Sequence, residues 1–283
     1  ISGYADDKHS NESVFVFQQM LQEGRAPNDI TYCCILDTFA GDEQALAEGK
    51  RIHSRVSSQI NVVITTSLVN MYGNCGRPLD ALKAFHNRKV QNVLLWNSTF
   101  AVCNQYDKGE DVLNLFVEMH REEAIVPDNF TLSNVLSACS SQVALCEGRI
   151  IHALSVECDF MQDIIVGTAL VNMYGKCGSL EDARGIFDSM VTRDVVLWSA
   201  IINIYAQHGY GREVVGLFDE MKRGHIVPNK ITYVSVLAAC SRAGLINEGR
   251  QLFASMKQDH GVIPTKEHCD CLADLLARSG LLD

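Results

Sequence analysis

Nine residues, Leu68 to Gly76 (LVNMYGNCG), return at Leu170 to Gly178 with a single change, 102 positions later. A long-period repeat constrains a fold more than any local propensity does, because recurring units pack against their own neighbours. Trp96 and Trp198 keep the same spacing. Glu48-Gly49, Glu147-Gly148 and Glu248-Gly249 recur about every hundred residues, as do Pro27, Pro127 and Pro228.

The stretch from Leu170 to Met190 reads as one complete helix–turn–helix. Ile165, Ala169, Leu170 and Met173 lay an apolar stripe on a first helix, which stops in the turn Gly175-Lys176-Cys177-Gly178. Ser179 is placed to cap the next helix, and Asp182 completes a capping-box pattern. Leu180, Ala183, Ile186, Phe187 and Met190 then recur at helical spacing and predict burial on one face.

The same reading divides the chain into units 1–28 (lacking its start), 29–61, 62–92, 93–128, 129–163, 164–194, 195–229, 230–265 and 266–283 (lacking its end). Two complete units have 31 residues and the others 33 to 36. First helices are almost free of charge, as in Leu95 to Gln105 and Leu197 to Gln207. Second helices are amphipathic and acidic: Val112, Leu115, Phe116 and Met119 repeat the spacing of Val214, Leu217, Phe218 and Met221. Pro27, Pro127, Pro228 and Pro264 close units, and Pro78 falls at a helix start, where its missing N–H costs little. Units this small cannot bury their apolar faces alone, so the expected fold is all-α, an α-solenoid of stacked hairpins. The incomplete end units predict that the sequence is a fragment of a longer array.

The formal charge of −10 argues against a nonspecific polyanion binder. No apolar run approaches the roughly 18 residues of a membrane span, so no membrane partner is expected. Eleven cysteines without short-domain spacing suggest a reducing compartment.

The unit sequences resemble a known family over essentially the whole chain. VVLWSAIINIYAQHGYGREVVGLFDEMKRGHIVPN (195–229) resembles the P motif of plant pentatricopeptide repeat proteins. IIVGTALVNMYGKCGSLEDARGIFDSMVTRD (164–194) resembles their short S motif, and NFTLSNVLSACSSQVALCEGRIIHALSVECDFMQD (129–163) their long L motif. The P-L-S alternation is that of the family's organellar RNA-editing branch. GVIPTKEHCDCLADLLARSGLLD (261–283) is similar to variant units that precede extension domains and often a deaminase-like DYW domain.

The resemblance implies a superhelix whose first helices line a groove for single-stranded RNA, read at one base per repeat. The family's reading residues are the fifth and the last of each repeat. Transferred here, Thr66 with Asn92 implies adenine, Asn97 with Asp128 uracil, Thr168 with Asp194 guanine, and Ser199 with Asn229 adenine. Ser133 with Asp163 falls in an L unit, which discriminates less. Cys33 with Asn61 and Val234 with Thr265 depart from readable combinations. The implied footprint, 5′ to 3′, is A-U-x-G-A. Aliphatic Ile165 and Val196, three residues before their fifth-position partners, are placed to sandwich a base. A single polar residue at a helix start is ordinarily a cap, and it is the four pairs in register that favour base reading.

The implied function is the specificity part of an organellar RNA-modification factor, with C-to-U editing first. A deaminase domain downstream, or editing cofactors in trans, would do the chemistry. The location implied is mitochondrion or chloroplast. An RNA stability or splicing factor would use the same binding. A protein-binding scaffold of the tetratricopeptide type is the rival of another class, but such arrays keep a uniform period near 34, whereas this chain alternates 31 with about 35.

No catalytic residue, metal site or cofactor is expected. His120-Arg121-Glu122 matches H-x-E of the zinc deaminases, but no C-x-x-C occurs. In His268-Cys269-Asp270-Cys271 the two cysteines point to different faces of a helix, against the usual ligand spacing. His53 and His152 share a place that Phe253 fills in a third unit, which suits packing. Cys75 with Cys177, and Cys139 with Cys240, read as small core residues.

Overall fold

The computed structural model describes residues 10–39, 43–56, 61–87, 92–122 and 125–278. The opening of unit 1–28 and the end of unit 266–283 lie outside the described residues. Among the described residues there are helices and no strands. The chain forms two compact units, 1–138 and 139–283.

The first compact unit holds α1 (Ser10–Gln22), α2 (Asp29–Asp37), α3 (Glu43–Val56), α4 (Val62–Asn74), α5 (Pro78–His86), α6 (Val93–Gln105) and α7 (Gly109–Arg121), and most of α8 (Asn129–Ser141). The second holds α9 (Leu145–Glu157), α10 (Ile164–Lys176), α11 (Leu180–Ser189), α12 (Val195–Gln207), α13 (Gly211–Arg223), α14 (Lys230–Ala243), α15 (Ile246–Gln258) and α16 (Lys266–Arg278). Each unit is a run of antiparallel helical hairpins. First helices pack on their own second helices and on the first helices of adjacent hairpins: α2 on α4 and α4 on α6 in one unit, α10 on α12, α12 on α14 and α14 on α16 in the other. That double contact explains the nearly uncharged first helices, because water reaches only one side of them.

The repeated motif packs the same way twice. Met71 lies where a side chain on Gly49 of α3 would be, and Met173 stands likewise to Gly148 of α9. Gly73 leaves room for Val102 of α6, and Gly175 for Ile204 of α12. The recurring Glu-Gly pairs and the glycine of LVNMYG are therefore places where helices approach closely. The carbonyls of these helix-end glycines are bonded from the next hairpin: Tyr106 donates to Gly73 at 2.5 Å, and His208 Nε2 lies 2.9 Å from the Gly175 oxygen. Gly76 and Gly178 end the motif with φ of 72° and 81°. This left-handed residue lets Arg77 and Ser179 donate their N–H groups back to the carbonyls of Tyr72 and Tyr174, closing the helix.

Aromatic contacts join each short hairpin to the next. Trp96 meets Phe85 edge-on at 4.7 Å between ring centres, and Trp198 meets Phe187 at 4.6 Å. Burying side chains of this size contributes about 1.5–3 kcal/mol each. Exposed pairs such as Arg149–Asp182 at 3.2 Å contribute roughly 0–1 kcal/mol, so packing sets the hairpin stacking.

His53 Nδ1 lies 2.8 Å from the Tyr72 hydroxyl, and His152 Nδ1 2.8 Å from that of Tyr174. Burial holds both imidazoles below their ordinary value, against the opposing pull of Asp80 and Asp182. Burial also pushes the Tyr72 hydroxyl up to about 12.

Two local expectations change. The Ser179 hydroxyl does not cap α11; it donates to Asp182 Oδ2 at 2.7 Å, because ψ of 72° turns it from the helix N–H groups. Cys75 and Cys177 are half-buried C-cap residues of α4 and α10, whereas Cys139 and Cys240 are buried.

Candidate nucleic-acid interface

Every first helix from α2 to α14 begins after a polar residue whose side chain caps it. Asn28, Asn61, Asn92, Asp128, Asp163, Asp194 and Asn229 accept the N–H of the residue three further on, at 2.8–3.1 Å. In each case the accepting atom is Oδ1. Capping therefore fixes which atom differs between Asn and Asp: the second head atom is Nδ2, a donor, in one and Oδ2, an acceptor, in the other. Capping and presentation to a ligand are compatible in one residue.

The fifth residues stand one turn into these helices, on the face of the second residues. Asn97 reaches Asp128 directly, its Nδ2 donating at 2.9 Å to Oδ1 and 3.2 Å to Oδ2. Ser199 is 8% exposed and is linked to Asn229 through Thr232, whose hydroxyl lies 2.6 Å from Ser199 Oγ and donates to Asn229 Oδ1 at 3.1 Å. Thr66 and Thr168 are half-buried. The Thr66 hydroxyl donates to the Val62 carbonyl at 2.8 Å, which leaves its lone pairs to accept. Among the described residues no hydrogen bond joins Thr66 to Asn92 or Thr168 to Asp194.

The pairs given less weight in the sequence are engaged as follows. Ser133 donates to the Phe130 carbonyl at 3.0 Å, and Asp163 caps α10. Asn61 donates its Nδ2 to Asp29 at 2.6 Å, and Thr265 lies 2.6 Å from His268 Nδ1. His268 is buried and its Nε2 meets the Lys230 carbonyl at 2.9 Å, so both ring nitrogens are engaged.

Ile165 and Val196 are exposed. Sequence reasoning missed that they belong to a series: Ile30, Val63, Leu94 and Phe130 in the first compact unit, and Ile231 in the second, are exposed apolar residues at the same second place of their helices. The signal was present, since each stands two residues after a capping Asn or Asp. Helices α4, α6, α8 and α12 carry no charged side chain. Arg242, in the last turn of α14, donates to the Ala206 carbonyl at 2.7 Å. Acidic residues such as Glu110, Asp111, Glu213 and Glu220 lie on the second helices.

The profile of the PPR repeat family matches residues 193–242, and that of the PPR repeat matches 63–87, 168–195 and 231–260. The chain carries PPR repeats. Pentatricopeptide repeat-containing protein At3g53360, mitochondrial, of Arabidopsis thaliana is 39% identical over all of this PPR chain and 37% of its own length. Pentatricopeptide repeat-containing protein At4g35130, chloroplastic, of the same plant is 39% identical over 99% of the chain and 35% of its own. The chain thus spans little more than a third of these relatives. Among solved structures, PPR10 in complex with an 18-nt psaJ RNA element superposes with a TM-score of 0.77 at 18% identity, covering 96% of this chain and 41% of that one. PPR10 from maize gives a TM-score of 0.68 at 18% identity, covering 98% and 45%. These likenesses establish the PPR solenoid fold.

Proposed function

We propose that this PPR array binds single-stranded RNA and reads one base per hairpin through the fifth and last residues of its units. The observation that carries the reading is the uniform Oδ1 capping, which leaves a donor at Asn and an acceptor at Asp in a fixed place. Uracil and guanine present an N–H on the Watson–Crick edge where cytosine and adenine present a bare nitrogen. Asp128 and Asp194 would accept from uracil and guanine, and Asn92 and Asn229 would donate to adenine. The fifth residue would set size: the longer Asn97 meets a pyrimidine, and Thr66, Thr168 or Ser199 leaves room for a purine. The exposed apolar second residues suit base faces, whose stacking contributes about 1–3 kcal/mol per base. The resulting footprint is A-U-x-G-A.

The solved complex that shares the fold holds an RNA element, which supports this ligand class. The nearly neutral first helices favour selectivity over nonspecific attraction. Relatives named mitochondrial and chloroplastic support action in an organelle. The alternation of P, L and S units supports the finer role, positioning a transcript for C-to-U editing by a deaminase domain or cofactors supplied elsewhere. A titration of Asn97→Thr against short RNAs tests the register. Preference at the second base should move from uracil to guanine, and unchanged preference would remove the assignment.

A further inference from the structure

Thr131 and Thr232 occupy one place in the fold and make the same contacts. Each is the third residue of a first helix that follows a P unit, and each is fully buried. Their Oγ1 atoms accept the N–H of Asp128 at 3.2 Å and of Asn229 at 3.3 Å. That bond occupies a lone pair and turns the hydroxyl proton towards the reading pair. In Thr131 the proton lies between Asn97 Oδ1 at 2.8 Å and Asp128 Oδ1 at 2.9 Å. In Thr232 it faces Asn229 Oδ1 at 3.1 Å, with Ser199 Oγ at 2.6 Å. The helices that follow S units have Leu95 and Leu197 here, with no hydroxyl.

We propose that Thr131 is a positioning residue for base reading by Asn97 and Asp128, and that Thr232 has the same part for Ser199 and Asn229. The proposal rests on the base-reading function above. An asparagine amide offers an acceptor or a donor depending on how it is turned. Asp128 draws Nδ2 to one side, and the Thr131 hydroxyl satisfies Oδ1 on the other. The amide is thereby locked with its remaining N–H available and its oxygen engaged. That state suits the O4 acceptor of uracil and refuses the amino group of cytosine. Without the hydroxyl, Asn97 Oδ1 loses its donor and its lone pairs become available to the cytosine amino group, while Asp128 still holds Nδ2. The third residue of the following helix thus completes the reading set of a P unit, and S units lack it.

The test is equilibrium binding of the full chain to A-U-x-G-A and A-C-x-G-A RNAs, with Thr131→Val and Thr131→Ser. The unsubstituted chain should prefer uracil by about tenfold, one well-made polar contact. Thr131→Val should bring the ratio below about threefold, and Thr131→Ser, which keeps the hydroxyl, should restore it. Guanine preference at the fourth base, read by Thr168 and Asp194, should stay constant in every variant and reports an intact fold. If the valine chain does not melt cooperatively, Thr131→Ala is read the same way. At the fifth base, Thr232→Val should reduce preference for adenine over guanine and leave the second base alone. A uracil ratio unchanged in Thr131→Val overturns the positioning role and leaves the base-reading function standing. An unsubstituted chain indifferent to the second base overturns both.

Discussion

Asn97 donates its side-chain amide to the Asp128 carboxylate at 2.9 Å, joining the fifth residue of one hairpin to its last. Asp128 also caps α8, so the contact ties the reading position of one hairpin to the first turn of the next. A change in stacking would therefore displace the polar pair with it. Under the proposed base reading, scaffold geometry and ligand selection are coupled through the helix starts.

Helix approach at glycine should be the most sensitive point of the scaffold. Gly175→Ala would drive its methyl group into Ile204 of the adjacent first helix, and overpacking of this kind costs about 1–3 kcal/mol. Gly185, on α11, has no neighbouring atom within 4 Å of the place a methyl group would take. Gly185→Ala should therefore raise stability by roughly 0.5–1 kcal/mol through helix propensity. Thermal unfolding of the two variants should show shifts of opposite sign.

Val143 is a β-branched residue with φ of 53°, in a turn where the later long unit has Gly244 at 66°. A left-handed conformation costs an L-residue roughly 1–2 kcal/mol, partly offset by the greater freedom of glycine in the unfolded chain. Val143→Gly should stabilise the protein by roughly 0.5–1 kcal/mol, read as a higher urea midpoint with an unchanged slope.

The half-buried His53 and His152 predict a pH dependence. Their folded values lie below the ordinary 6.5 because burial disfavours the imidazolium. The unfolded chain therefore binds protons first as pH falls, and the contribution to stability, complete above 6.5, declines towards the lower folded values. The melting temperature should drop between pH 7 and pH 5. A chain with His53→Phe and His152→Phe, copying Phe253 of the third long unit, should show a shallower drop over that interval.

The fold was legible because its signals are periodic. The repeated LVNMYG motif and the recurring Glu-Gly pairs mark the contacts Gly49–Met71 and Gly148–Met173, which any stack of such hairpins must satisfy. The capping role of Asn92 or Asp194 was equally readable, since Asn and Asp are strongly preferred immediately before a helix. Side-chain detail was not. Ser179 has the sequence of a cap, yet its hydroxyl serves Asp182, because the turn after Gly178 sets its backbone. The part of Thr131 and Thr232 was hidden for another reason: the hydroxyl faces the preceding hairpin, so its partners Asn97 and Ser199 are distant in sequence.

The central claim is that the uncapped head atom of the last residue selects the base. Asp128→Asn exchanges one acceptor for a donor, with the capping Oδ1 available in both. Equilibrium binding of this variant to A-U-x-G-A and A-C-x-G-A RNAs measures the consequence directly. The parent should favour uracil by about tenfold and the variant should lose that preference, with guanine still preferred at the fourth base. A variant that continues to favour uracil, or a parent that binds both RNAs equally, would contradict the account.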